Sequence, residues 1–245
     1  GKIDLAEIGL SSHLRIKRTQ LPSGRCLALI NTKDRQRDRS LVIVPNANDL
    51  VNTDASDLGY FCNANWVHFT SFVSNGPLEA QGKVLQNLPD DVNVSFDPGA
   101  VYCGLGIKHL EHMVARCQVL FLTKEELFTL MGLGSIEKAV SRLISIGAKT
   151  IILKLGAKGI MAFQSNNTSF QEAVPPTYVV DRTGAGDVAA AGLLAGLILG
   201  LPLIDCLGLA VRAASRSIEG YGRLKYPDRK FLKDFLTELN GKFFS

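Results

Sequence analysis

The sequence predicts an α/β protein with a mostly parallel sheet, helices on both faces and a small β hairpin beside it. Three observations carry this. Between residues 66 and 147, short β-branched or aromatic runs alternate with segments of helical period, the pattern of parallel strands joined by right-handed crossovers. Residues 188–199 are an uncharged run of small and apolar residues directly after a glycine-rich turn, which reads as a buried helix. A chain of 245 residues with 46% hydrophobic content is long enough for one sizeable α/β domain.

In chain order, residues 1–14 place apolar side chains at Ile3, Leu5, Ile8 and Leu10 without a clear period. Leu21 to Gly24 is a turn, and residues 26–31 and 40–44 read as two strands joined by a charged loop, a hairpin able to act as a flap. Pro45 to Asn48 ends the second strand, and a short helix follows at 53–61. Strands are then expected at 66–72, 92–96, 119–122 and 150–155, with helices at 76–87, 108–115, 124–131 and 135–147. His68 alternates along the first of these strands and reads as a core histidine. After the buried helix come residues 205–217, a turn through Gly220 and Gly222, and an amphipathic helix at 228–239. Ligands of such sheets collect at the carboxyl ends of the strands.

The net charge of +4 and pI near 8.8 favour an anionic substrate but fall short of a nucleic-acid-binding face. The basic cluster from Lys33 to Arg39 is interrupted by acids and reads as a solvated loop. Five cysteines without paired spacing read as reduced thiols, so a cytoplasmic location is expected. Residues 188–204 are uncharged, but Gly200 and Pro202 break them, which argues for a buried helix over a membrane span.

The residues at the strand ends carry the chemistry. Gly184 and Gly186 bracket Ala185, so consecutive amides can turn toward one point at the positive end of the following helix, a geometry suited to an anion. A bound phosphate would repel Asp187 beside it, so the carboxylate is explained by proton abstraction from an attacking hydroxyl. The plainer alternative is a glycine-rich turn before a core helix, with Asp187 as a first-turn charge. Asp97-Pro-Gly is by itself a turn sequence. Thr123-x-x-Glu126 meets the pattern of a capping box. Lys154 precedes Gly156 and Gly159, a glycine pair that alone reads as a hairpin turn.

The string from Asp181 to Asp187, Asp-Arg-Thr-Gly-Ala-Gly-Asp, resembles the second signature of the phosphofructokinase-B or ribokinase-like carbohydrate kinases, Asp-Thr-Thr-Gly-Ala-Gly-Asp, with Arg182 replacing the middle threonine. The strand-end motifs fall in the family's order, and Pro45 to Asn48 resembles its Pro-Gly-Ala-Asn, so the resemblance runs from about residue 23 onward. It implies a ribokinase-like fold, Asp187 as catalytic base, and the amides of Gly184, Ala185 and Gly186 as the anion hole. Glu126 matches the family's Asn-x-x-Glu, whose glutamate helps hold Mg²⁺, and Asp97 is implied as a second contact to that metal shell. Lys154, Gly156 and Gly159 resemble the Thr-x-Gly-x-x-Gly element beside the ATP phosphates, with Lys154 in place of threonine and able to act as a counter-charge. Ser217 and Gly222 fall in the helix and loop that flank adenine, where Val211 stands in place of a frequent asparagine. Asp181 and Thr183 are implied to shape a K⁺ site. The hairpin at 26–44 is implied to be a lid over the sugar and a homodimer contact. The family's opening strand, early acidic sugar contact and Gly-Gly-x-x-x-Asn motif do not occur, so the expectation is a single ribokinase-like domain over 1–245 lacking the family's N-terminal part.

The expected function is ATP-dependent phosphorylation of a hydroxyl on a sugar or nucleoside, with a small molecule, no nucleic acid and no membrane as partner. The alternative is a non-catalytic ribokinase-like protein that senses a metabolite or nucleotide. Thr123, Lys154 and Val211 are departures such a protein could accumulate, whereas Asp187 and the complete glycine frame favour the enzyme. An NAD-binding Rossmann protein is disfavoured, because no glycine fingerprint follows the first strand.

Overall fold

The computed structural model describes residues 19–30, 39–52 and 55–242. The apolar opening stretch, the basic loop of the hairpin up to residue 38 and the first two positions of the helix expected at 53–61 lie outside them.

The hairpin pairs β1 (Arg25–Ile30) antiparallel with β2 (Arg39–Val44), Arg25 opposite Val44. A 3₁₀ turn (Asn46–Leu50) and α1 (Ala55–Cys62) lead into the main sheet. There follow β3 (Trp66–Thr70), α2 (Asn75–Asn87), β4 (Asn93–Asp97), α3 (Gly99–Cys103), α4 (Ile107–Arg116), β5 (Val119–Thr123), α5 (Lys124–Met131), α6 (Ile136–Ile146) and β6 (Thr150–Lys154). Then come β7 (Ile160–Gln164), β8 (Asn167–Gln171), α7 (Ala185–Ile198), α8 (Leu203–Ser217) and α9 (Arg229–Lys242).

The six strands lie in the order β3-β4-β5-β6-β7-β8. Neighbours from β3 to β6 run parallel, whereas β7 and β8 are antiparallel additions. Because successive parallel strands advance in one direction with right-handed crossovers, α2 to α6 all fall on one face. There Val94, Phe96, Leu120, Leu122, Ile151 and Leu153 pack with Val84, Leu110, Met113, Leu127 and Leu143. The alternate residues Val119, Phe121 and Ile152 pack on the other face against Leu193 of α7 and Leu207 and Ala210 of α8. Each fully buried Leu or Phe contributes about 2 kcal/mol to that burial.

The small residues of α7 set how closely its partner helix approaches. A methyl group on Gly192 would sit 3.1 Å from Ala210 Cα, and one on Gly196 would sit 2.8 Å from Cys206 Sγ. The uncharged run at 188–199 is therefore a helix packed closely on α8, with Val188, Ala189, Ala190, Leu193 and Gly196 buried, whereas Ala191, Ile198 and Leu199 are exposed, so the expected buried helix is buried on one side only. Among the described residues no helix is long and apolar enough to cross a membrane.

Two strands were not foreseen. β8 reads Asn-Thr-Ser-Phe-Gln, with most of its residues exposed or half-exposed, so its pairing to β7 is set by the Ser165-Asn166 turn and the ladder and leaves little hydrophobic pattern.

Candidate active site

The carboxyl ends of β4, β5 and β6 and the N-terminus of α7 converge. Gly184 is the residue before α7 and takes the left-handed conformation (φ 81°), which a residue with a side chain adopts only under strain. The Ala185 amide returns to Arg182 O at 3.2 Å, and Val188 N begins the helical ladder on Gly184 O at 2.9 Å. The amides of Gly186 and Asp187 thus open the helix at its positive end. The two glycines face different ways. The missing side chain of Gly186 points at Lys154, whose Nζ would lie 3.6 Å from a methyl group there, while that of Gly184 points at Asp187 Oδ2 and the Tyr226 hydroxyl. Asp187 is exposed.

Lys154 ends β6 and donates to Asp97 Oδ2, at the end of β4, over 2.6 Å. The other Asp97 oxygen accepts from Gly99 N at 3.4 Å, closing the Asp-Pro-Gly turn. Glu126 forms the reciprocal capping box of α5: its Oε2 accepts from Thr123 N at 2.7 Å, and Thr123 Oγ1 accepts from Glu126 N at 3.1 Å. Behind these groups lies the buried Cys103 thiol, pushed up to about 12 by burial first and then by the Glu126 and Asp97 carboxylates, with Lys154 opposing. All three charged strand-end residues therefore act on one point.

His68, read from sequence as a core histidine, belongs to this neighbourhood. Trp66, His68 and Thr70 alternate along β3, and His68 and Trp66 reach the α7 side of the sheet, where the imidazole meets the Phe121 ring edge-on at 6.0 Å between centroids. Trp66 Nε1 donates to Ser95 Oγ at 2.9 Å, and His68 Nδ1 lies 2.9 Å from the same oxygen. The indole only donates, so the Ser95 hydroxyl accepts from Trp66 and keeps both its proton and a second lone pair for the His68 contact. The residue keeps solvent-facing surface, yet packing around the ring removes enough water to lower its pKa. The Asp97 and Asp187 carboxylates raise it and Lys154 lowers it.

On the Lys154 side of the turn lies a cavity of about 340 Å³, walled by Lys154, Gly156, Gly159, Arg182, Gly186 and, from α8 and the residue that caps it, Val211, Ala214, Ser215 and Ile218. Gly156 and Gly159 make the β6–β7 hairpin turn and line this cavity as well, so the two readings of that glycine pair are compatible. Arg182, assigned no part from sequence, is in the wall. Ser217 is not: it is 2% exposed, and its hydroxyl donates to Ala214 O at 2.8 Å. Residues 211, 214, 215 and 218 fall on one helical face and Ser217 on the core-facing side. Gly222 also lies away from the cavity and donates to Asp181 Oδ2 at 3.5 Å. Asp181 is buried, and its Oδ1 accepts from Thr183 N at 2.8 Å.

Two ion sites implied by the resemblance can be tested on these atoms. Thr183 Oγ1 is buried without a hydrogen-bond partner beside the buried Asp181 carboxylate, which suits a monovalent cation. Among the described residues no group of three or more His, Cys, Asp or Glu side chains could hold a metal. Glu126 and Asp97 offer few donors, which suits Mg²⁺ arriving with phosphates and waters and not in a protein cage.

A cavity that ends on a helix N-terminus, with a lysine on one side of the turn and a carboxylate on the other, offers an anion a positive helix end and a counter-charge on an α/β frame. The chain belongs to the pfkB family of carbohydrate kinases, whose sequence model matches residues 4–226. It is 28% identical over 225 residues to an uncharacterised sugar kinase of Archaeoglobus fulgidus, covering 91% of this chain and 88% of that one. Over 155 residues it is 31% identical to the cytidine kinase of Thermococcus kodakarensis, covering 61% of this chain and 55% of the relative. Its fold matches Arabidopsis thaliana ribokinase complexed with ribose and ATP, with a TM-score of 0.72 at 24% identity, over 89% of this chain and 70% of that structure. The ribokinase-like fold and the kinase class stand on these likenesses.

Proposed function

We propose that this protein transfers the γ-phosphoryl group of ATP to a hydroxyl of a sugar or nucleoside. The observation that carries this is the two-sided glycine turn: Gly186 faces Lys154 and the cavity, and Gly184 faces Asp187. The nucleotide lies in the cavity and directs its phosphates at the turn. Asp187 accepts the proton of the attacking hydroxyl, and the amides of Gly184 and Gly186, with Lys154, stabilise the charge on the transferring group; the Ala185 amide, expected from sequence to join them, is instead given to Arg182 O at 3.2 Å. Glu126 and Asp97 would face the Mg²⁺ that accompanies ATP, which neutralises phosphate oxygens when bound. Asp181 and Thr183 would hold K⁺ behind the turn. The hairpin of β1 and β2 would close over the acceptor and exclude water. Its exposed Leu27, Leu29, Val42 and Ile43 support pairing with a second copy of the chain.

The test is ATP consumption screened over ribose, fructose-type sugars, 2-keto-3-deoxy sugars, adenosine, cytidine and inosine, in wild type and Asp187→Asn. One acceptor should be phosphorylated, and the variant should be slower by about a hundredfold or more with MgATP still bound. Wild-type turnover in the variant removes Asp187 from the mechanism.

A further inference from the structure

The reaction as written leaves unused a residue on the Asp187 side of the turn. Tyr226 lies in the loop between α8 and α9 with its hydroxyl against Gly184. A methyl group built on that glycine would overlap Tyr226 Oη and lie 3.9 Å from Asp187 Oδ2, so phenol and carboxylate border one point. The loop is fixed at both ends. Val180 N and Asp181 N donate to Ile218 O at 2.8 and 3.2 Å, and Tyr226 N closes a turn on Arg223 O at 3.2 Å. Past Pro227, Asp228 Oδ1 accepts from Phe231 N at 2.8 Å, and its other oxygen pairs with Arg216 of α8 at 3.7 Å. The half-buried ring is therefore placed by its backbone and does not rest on the turn by chance.

A carboxylate only accepts hydrogen bonds, and a phenol adds a donor beside it. Burial, then the Asp187 and Asp181 carboxylates, raise the phenol pKa above its ordinary value, with Arg223 opposing, so Tyr226 keeps its proton at neutral pH. A hydrogen bond given to the attacking oxygen would hold back the lone pair that must form the new bond to phosphorus. The donor is useful instead on a neighbouring oxygen of the same acceptor. Resting on the kinase reading above, we infer that Tyr226 is an acceptor-binding residue, its hydroxyl donating to an oxygen adjacent to the hydroxyl that Asp187 deprotonates. The site would thereby select a polyhydroxylated acceptor over a simple alcohol.

The experiment compares Tyr226→Phe, which removes one oxygen, with wild type in two ways: calorimetric affinity for the same sugar and nucleoside panel without nucleotide, and turnover with MgATP. The compound that wild type binds best should bind about tenfold more weakly to the variant, the loss of one hydrogen bond. Acceptor KM should rise, and MgATP affinity and Tm should stay close to wild type. Equal acceptor affinity in the two proteins overturns the assignment and leaves the kinase reading standing. A panel compound bound but never phosphorylated by wild type overturns the kinase reading, while the binding difference still decides Tyr226. No binding by any panel compound overturns both.

Discussion

Lys154 Nζ lies 2.6 Å from Asp97 Oδ2, and this pair joins the ends of β6 and β4 across the intervening β5. The side chains are 13% and 11% exposed, so both charges have lost most of their water and each depends on the other. The ammonium also borders Gly186. Nucleotide phosphates arriving at the turn would compete with Asp97 for the same cation.

Replacing Lys154 by Met leaves a nearly enclosed carboxylate unpaired, so the variant should lose about 3 kcal/mol of stability in urea denaturation. The double variant Lys154→Met/Asp97→Asn should regain most of that stability, since no lone charge remains. It should not regain nucleotide affinity, because the counter-charge is still missing. Single and double variants of equal stability would mean that the pair is not coupled.

Glu126 caps α5, and the proposed function gives it a second duty that can be separated from the first. Glutamine can accept the hydrogen bond from the Thr123 amide as glutamate does, so Glu126→Gln should unfold within about 0.5 kcal/mol of wild type, while Glu126→Ala should lose about 1 kcal/mol. If the carboxylate also faces Mg²⁺, the glutamine variant alone should raise the Mg²⁺ concentration needed for half-maximal turnover severalfold. A magnesium titration identical to wild type would confine Glu126 to the cap.

The sheet and most helices were legible because buried parallel strands such as Val119–Thr123 are nearly all apolar and the helices between them keep their period. β8 was not, because an edge strand has less to bury; β7, Ile-Met-Ala-Phe-Gln, is apolar and packs on both faces of the sheet, but its four apolar residues are too short a run to be told from a turn-flanking segment. In the site, the signature around Asp187 was legible as contiguous chain. His68 and Tyr226 were not, because each reaches the turn from a distant segment, β3 or the loop before α9, and only the fold brings them together. Ser217 was assigned by its place in the motif, whereas helical geometry gives the cavity Ser215 instead.

The cysteines should differ in reactivity by position. Cys26 is exposed, whereas Cys103 and Cys206 are buried, with thiols raised by burial to about 12 and about 11, and Cys117 is raised further still. The thiolate is the nucleophile, so iodoacetamide at pH 8 should label Cys26 first and spare Cys103, Cys117 and Cys206 until the protein unfolds. Mass mapping of the labelled peptides checks this. Early labelling of Cys103 would mean that the strand-end cluster around it opens readily.

His68 gives a dependence on pH whose sign follows from the site. Burial holds its folded-state pKa below the 6.5 of the unfolded chain, against the pull of Asp97 and Asp187. Between the two values the unfolded chain binds more protons than the folded one, so stability rises with pH across that window. The His68 contribution is thus fully present above pH 6.5 and is lost as pH falls toward the folded-state value. Urea midpoints measured from pH 5 to 8 should fall on the acid side in wild type and fall less in His68→Asn. Ser95→Ala takes away the hydroxyl that lies 2.9 Å from His68 Nδ1, so ¹⁵N spectra should show one dominant imidazole tautomer in wild type and a mixture in the variant. Midpoint curves that run parallel in wild type and His68→Asn would place the acid sensitivity in other groups.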